Sequence, residues 1–289
     1  MERRSAEQWA TALGTDPRAT GLVLEVLVAS GVAARDEAGY GGSEAFRTTL
    51  AQSPGGTSMA LLLWSSVGAF VRNGAPLFEM DGDGRARAGA YSRVVAGLGD
   101  MFAPAAAALA AALGGGARAV LDVGCGSGVW GLALGQRDGA RVTGLDWPEV
   151  LAAFQARADA LGMRDRVEVI PGDMHAADFP RRRFDRVLIA NVLRLEGPRE
   201  AKALVARLSG ALGPGGKLVV VDALAHGSRE KDLARTIYGL HLGLRTRRGQ
   251  VHAPEVVTGW LLAAGLKDVR PIDLGVQPGA VAAVVGTVP

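Results

Sequence analysis

The chain has 289 residues, 48% hydrophobic and 21% charged, with 41 glycines and a formal net charge of +3. At about 100–200 residues per domain this length suits two domains, and so much apolar content with dispersed charge excludes a disordered or collagen-like chain. The small basic excess, 28 Arg and 4 Lys without a long basic tract, leaves no footprint for nucleic acid, and the single cysteine, Cys125, cannot close an internal disulfide, which suits a reducing, cytoplasmic setting.

The opening MERRSAEQWATALG carries charge with no apolar run behind it, unlike a secretory signal. Helices are predicted over Ser5 to Leu13 and Asp16 to Ser30, the second with Asp16 as cap, Pro17 in the first turn and an apolar face of Leu22, Leu24, Val26 and Leu27. Gly31 ends it, and Val32 to Tyr40 suits a small turn or hairpin. Further helices are expected at Ser43 to Ala51, Ser58 to Val71 and Arg85 to Met101, the last running on through Pro104 to Gly114. The glycine triplet 114–116 is the clearest break. Two domains, 1–105 and 106–289, are expected. The most apolar windows, Ala105 to Leu113 and Val219 to Ala225, are shorter than the roughly 18 residues of a membrane helix, so no membrane partner is expected.

From Arg118 the texture changes. Short β-branched runs at Ala119 to Val123, Arg141 to Asp146, Val167 to Ile170, Arg186 to Ala190 and Lys217 to Asp222 alternate with helical stretches at Pro148 to Leu161 and Pro198 to Leu212. A helix at Ala253 to Ala264 and strands at Val269 to Leu274 and Ala280 to Val288 complete the pattern, which is that of an α/β, doubly wound parallel sheet.

The most informative segment is AVLDVGCGSGVWGLAL, residues 119–134, where a strand meets Gly124, Gly126 and Gly128 and then a helix. Glycine there permits positive φ and close backbone approach to a ligand at a helix N-terminus. Gly126, Gly128 and Gly131 also satisfy the dinucleotide spacing, with Asp146 20 residues beyond Gly126, so the loop alone does not choose the nucleotide. Asp146 at the next strand end can accept from both ribose hydroxyls, and Asp173 after the third can accept from an adenine amino group.

At this point the sequence resembles class I S-adenosylmethionine (SAM) dependent methyltransferases, through LDVGCGSG, the Asp146 strand end, GDM at 172–174, FDRVLIANVL at 184–193 and LGPGGKLVVVD at 212–222. TDPRATGLVLEVLVASGVAARD, in the N-terminal half, is similar to the winged-helix dimerisation domain of plant and bacterial small-molecule O-methyltransferases. The resemblance implies a Rossmann-like SAM-binding sheet behind an all-helical winged-helix domain, a homodimer, a small-molecule acceptor, and S-adenosylhomocysteine (SAH) as product. It places Gly124 and Gly126 against the methionyl part, Asp146 on the ribose, Trp147 nearby, Asp173 and Met174 at the adenine, and Asn191 where cofactor and acceptor meet. Asp146 as a turn residue, Met174 as core and Asn191 as a helix cap are the bland alternatives.

One departure matters. Where the plant-type enzymes carry a catalytic His followed by Asp-Trp, this chain has Arg194, whose guanidinium cannot act as a base. Arg194 can bind an acidic acceptor, pair with Glu196 or Asp222, or be solvated; an amine or thioether nucleophile would need no base. Asp222 keeps an acid at the fifth strand end. Of the histidines, His241 is the substitute base by resemblance, His175 falls near the adenine, His226 and His252 fall in loops, and none has metal-ligand spacing. Tyr91 and Met101 can reach over the pocket. Cys125 reads as buried filler. A DNA-binding winged helix, a nicotinamide oxidoreductase and a SAM-binding protein that transfers no methyl are the competing readings.

Overall fold

The computed structural model describes residues 3–29, 31–51, 62–81, 88, 89, 91, 95–224, 237–274 and 281–289. It divides into two compact units, Met1–Leu62 and Leu63–Pro289.

The first unit is helix, helix, hairpin, helix: α1 (Ala6–Leu13), α2 (Pro17–Ala29), β1 (Ala33–Asp36), β2 (Gly39–Gly42) and α3 (Glu44–Ala51). Ser5 starts α1 with a reciprocal cap, its hydroxyl accepting from the Gln8 N–H and its own N–H donating to the Gln8 side chain. Asp16 Oδ1 accepts the Ala19 N–H at 2.8 Å, with Pro17 opening α2 as expected. β1 and β2 pair antiparallel from Ala33↔Gly42 to Asp36↔Gly39. This two-stranded wing is the hairpin expected over Val32 to Tyr40, so the unit is winged and not all-helical.

The second unit holds α4 (Val67–Asn73), α5 (Val95–Ala112), β3 (Ala119–Val123), α6 (Val129–Asp138), β4 (Arg141–Asp146), α7 (Pro148–Ala160), β5 (Val167–Pro171), β6 (Phe184–Ala190), α8 (Pro198–Ser209), β7 (Leu212–Ala223), α9 (Pro254–Ala263), β8 (Lys267–Ile272) and β9 (Val281–Thr287). Seven strands form one sheet in the order β5-β4-β3-β6-β7-β9-β8, parallel from β5 to β7, with β9 antiparallel to both its neighbours. Val120, Leu188 and Val219 on one face pack with Leu109, Leu132 and Phe154; Leu121, Ile189 and Val220 on the other pack with Leu204, Leu208 and Leu261. The inner strands are buried on both faces, hence their β-branched composition, whereas the edge strands β5 and β8 are partly exposed.

The unit boundary falls well before the expected break at residue 105. Phe102, Ala105, Ala106 and Leu109 of α5 belong to the core under the sheet, which ties that helix to the second unit. The chain turns one way from β3 through β4 to β5 and the other way from β6 to β7. The switch between β3 and β6 opens a crevice at the carboxyl ends of the strands, the place where such sheets bind ligands. Among the described residues no helix is long and apolar enough to cross a membrane.

Candidate active site

Above that crevice lies a cavity of about 570 Å³, lined by the glycine loop, the ends of β4 to β6, α5, and the segments 80–81 and 238–248.

The loop after β3 is folded by its own backbone. Gly124, Gly126 and Gly128 have φ of 65°, 56° and 75°, conformations in which other residues are strained. The Gly124 and Cys125 N–H groups donate to the Leu145 carbonyl, and Gly128 N–H to that of Cys125, at 2.7–3.0 Å. Gly131 lies inside α6 against Asp122, so the three positive-φ positions follow the Gly-x-Gly-x-Gly register. Asp122 is wholly buried and accepts the Gly131 N–H at 2.9 Å; burial pushes its pKa up to about 7, aided by the Asp146 charge. Burial also raises the Cys125 thiol well above its ordinary range, as suits a filler.

Asp146, at the end of β4, accepts the Gly126 N–H on Oδ2 and the Trp147 N–H on Oδ1, both at 2.8 Å. These two bonds fix the orientation of the Asp146 carboxylate at the cavity wall. Asp173 caps the turn after β5, its Oδ1 accepting the His175 N–H at 2.8 Å, and Met174 is buried beside it. His175 Nε2 lies 3.3 Å from the buried carboxylate of Glu196. Gly124, Gly126, Asp146, Trp147, Asp173, Met174 and Asn191 all border the one cavity.

The residues after β6 and β7 are locked to each other. Asn191 has a left-handed φ of 61°, and its Oδ1 accepts from Arg194 Nη1 at 2.6 Å. Asp222 accepts the Arg194 N–H at 3.0 Å, Arg194 Nη1 at 3.2 Å and the Ala223 N–H at 2.8 Å. It stands behind Arg194 and does not line the cavity. Arg194 is 9% exposed, which removes the solvated alternative. Burial opposes its charge, but Tyr238, Asp222 and Tyr91 outweigh that and hold its pKa above the ordinary value. Proton abstraction is not open to it.

His241 sits between Trp64 and Tyr238, with ring centroids 6.1 and 5.9 Å away. Burial, with Arg245 and Arg194 close by, pushes its pKa down to about 4, so the ring is neutral at physiological pH. Tyr91 and Met101 line the cavity too. His252 is buried elsewhere, at 3.0 Å from the Leu193 carbonyl and edge-on to Trp260; His226 lies outside the described residues.

Three charged cavity residues escaped sequence reasoning: Asp81, Arg245 and Arg248. Buried Asp81 accepts the Arg247 and Arg248 N–H groups at 2.6–3.0 Å, while the Leu77 and Met80 N–H groups donate to the carbonyls of Leu244 and Arg245 at 2.8 Å. These residues meet across more than half the chain, and no local pattern announces them. Among the described residues no three His, Cys, Asp or Glu side chains are grouped to hold a metal ion.

A family model described as a methyltransferase domain matches residues 120–216. The tetracenomycin polyketide synthesis 8-O-methyl transferase TcmO of Streptomyces glaucescens is 32% identical over 130 residues, 45% of this chain; the chain spans 38% of that relative's length. Among solved structures, the mitomycin 7-O-methyltransferase MmcR superposes with a TM-score of 0.70 at 22% identity, covering 99% of this chain and 88% of its own. The O-methyltransferase NcsB1 from neocarzinostatin biosynthesis, solved with SAM and 2-hydroxy-5-methyl naphthoic acid, does so with 0.64 at 23%, covering 99% and 90%. The chain thus carries a methyltransferase domain over residues 120–216, set in a fold shared with O-methyltransferases.

Proposed function

We propose that the whole chain is a SAM-dependent methyltransferase that methylates a hydroxyl of a small molecule. The observation that carries this is the sorting of charge around one cavity. Asp146, Asp173 and Glu196 line it with carboxylates, and Arg194, Arg245 and Arg248, the last beside buried Asp81, supply guanidiniums from the segments after β6 and β7.

The carboxylate side fits a sulfonium nucleoside. A Cβ at Gly124 would lie 2.7 Å from Val192 Cγ2, and one at Gly126 3.0 Å from Val95 Cγ2, so only bare backbone leaves the cleft open. Asp146 would hold the ribose, Trp147 and Met174 would flank the base, and Asp173 would meet its amino group. SAM, when bound, supplies an electrophilic methyl group and leaves as SAH.

The chain's own residues align the acceptor and exclude water, the main gains available in a displacement. An acceptor hydroxyl must also lose a proton. Of the two cavity histidines, His241 stands among Arg194, Tyr238 and Arg245 and can receive it, being neutral above about pH 4, whereas His175 faces the Glu196 carboxylate. Arg194 and Arg245 favour negative charge on the acceptor oxygen. Because Arg194 replaces a base, N- or S-methylation is the second reading.

Calorimetry with SAH, SAM and NAD tests the cofactor. Binding of the first two is expected, and tight NAD binding without SAM binding overturns the reading. Labelled methyl from SAM, offered with hydroxyl, amine and thioether acceptors, tests the reaction, and label on nitrogen or sulfur alone would favour the second reading. The proposed partner is a second copy of the chain: Leu22, Val23 and Val26 form an exposed apolar face on α2. Sedimentation of wild type against Leu22→Glu would show a dimer weakened to monomer. A cytoplasmic setting completes the proposal.

A further inference from the structure

We propose that the acceptor carries a carboxylate, or an anionic group of the same planar shape, and that Arg245, assisted by Arg194, receives it. This deepens the methyltransferase reading and rests on it for the identity of the cavity.

Arg194 is more than nine-tenths buried, and its Nε has no hydrogen-bond partner; the buried Nε of Arg245 has none either. Both side chains line the cavity, and both guanidiniums lie over the ring of Tyr238, at 5.2 and 5.7 Å from its centroid.

Their charges are balanced differently. Arg194 has Asp222 at 3.2 Å, and Arg248 has Asp81 at 3.9 Å. Arg245 has no carboxylate within 4.0 Å among the described residues; its side chain donates to the Tyr238 hydroxyl at 2.6 Å. Among the described residues a half-buried positive charge thus borders the cavity with no carboxylate counter-ion, beside a second, buried guanidinium. Buried donors without acceptors are costly, and a buried charge without a partner more so. A carboxylate in the cavity answers the second, because the η nitrogens of an arginine fork can donate to it, while the two Nε atoms are enclosed and out of its reach. His241 beside them has its proton affinity lowered, first by burial and then by Arg245 and Arg194. A neutral acceptor would leave that charge unanswered.

The test uses the full chain and three probes of one shape: 1-naphthoate, 1-naphthamide and 1-naphthol, titrated by equilibrium dialysis with and without SAH. Naphthoate should bind at least about tenfold more tightly than either neutral probe. Arg245→Met should bring naphthoate down to the affinity of the amide while leaving the amide and SAH unchanged, and Arg245→Lys should restore part of the preference. No preference for naphthoate in the wild type overturns the proposal, whether the three bind alike or none binds at millimolar concentration. So does a preference that survives in Arg245→Met. Should that variant fail to fold, Arg245→Gln, checked by its SAH affinity, takes its place. SAH affinity is recorded separately, so failure of the cofactor reading and failure of the carboxylate proposal give different results.

Discussion

The two sides of the cavity are held by different means. On the glycine-loop side the shape comes from main chain: three positive-φ glycines and a carboxylate, Asp146, pinned by two N–H groups, all within residues 119–147. On the arginine side it comes from side chains drawn from distant places, with Asn191, Arg194, Asp222, Tyr238 and Arg245 gripping one another. A backbone-built wall tolerates little change and suits a ligand common to many enzymes. A wall built from interlocking side chains can be altered piecemeal, which suits a variable acceptor.

The largest expected effect is on the side-chain wall. Asp222→Ala strands buried Arg194 without its counter-charge and should cost about 3–5 kcal/mol of stability by urea unfolding. A loss below 1 kcal/mol would mean that Arg194 swings out to water, and the contrast between the walls would weaken. Next comes the backbone wall. A Cβ at Gly128 would lie 2.5 Å from Phe154 Cδ2 at a φ of +75°, so Gly128→Ala should cost about 2–4 kcal/mol in the same assay. A neutral outcome would show that the loop is not rigid. Asp146→Ala should weaken SAH at least about tenfold by calorimetry, with a smaller change in melting temperature; unchanged affinity would contradict the ribose contact.

The last test is a pH slope. Asp122 is raised from 3.8 to about 7 in the fold, so the folded chain holds its proton more firmly than the unfolded one. The stability this confers is full below about pH 4 and fades as pH rises through about 7. The stability of wild type relative to Asp122→Asn should therefore decline from pH 4 to pH 8 in urea melts. A constant difference would show that Asp122 stays ionised under the loop.

The same contrast explains what was legible. The expected bounds of β3 and β4 match the structure residue for residue, because buried parallel strands are continuous apolar runs closed by glycine or by Asp146. β7 starts at Leu212 instead of Lys217: Gly213 to Gly216 reads locally as a turn, yet Leu212 pairs with Phe184 and the strand bulges before Lys217 meets Arg186. The winged order of the first unit was readable from Asp16, Pro17 and Gly31. Arg194 was readable as a departure, with Asp222 as one of its expected partners, but its bond to Asn191 and its place over Tyr238, 44 residues on, were not. Arg245 and Asp81 carried no local signal at all, because an arginine among arginines and an aspartate after a methionine look like surface.

The staple formed by Asp81 has a practical side. Its carboxylate holds the main chain at Arg247 and Arg248 while Leu77 and Met80 bond to Leu244 and Arg245, so two strips remote in sequence are sewn into a single roof panel. Anyone redesigning acceptor choice by transplanting residues 237–250 from a relative should transplant 77–81 with them; exchanging either strip alone would leave a torn seam over the cavity.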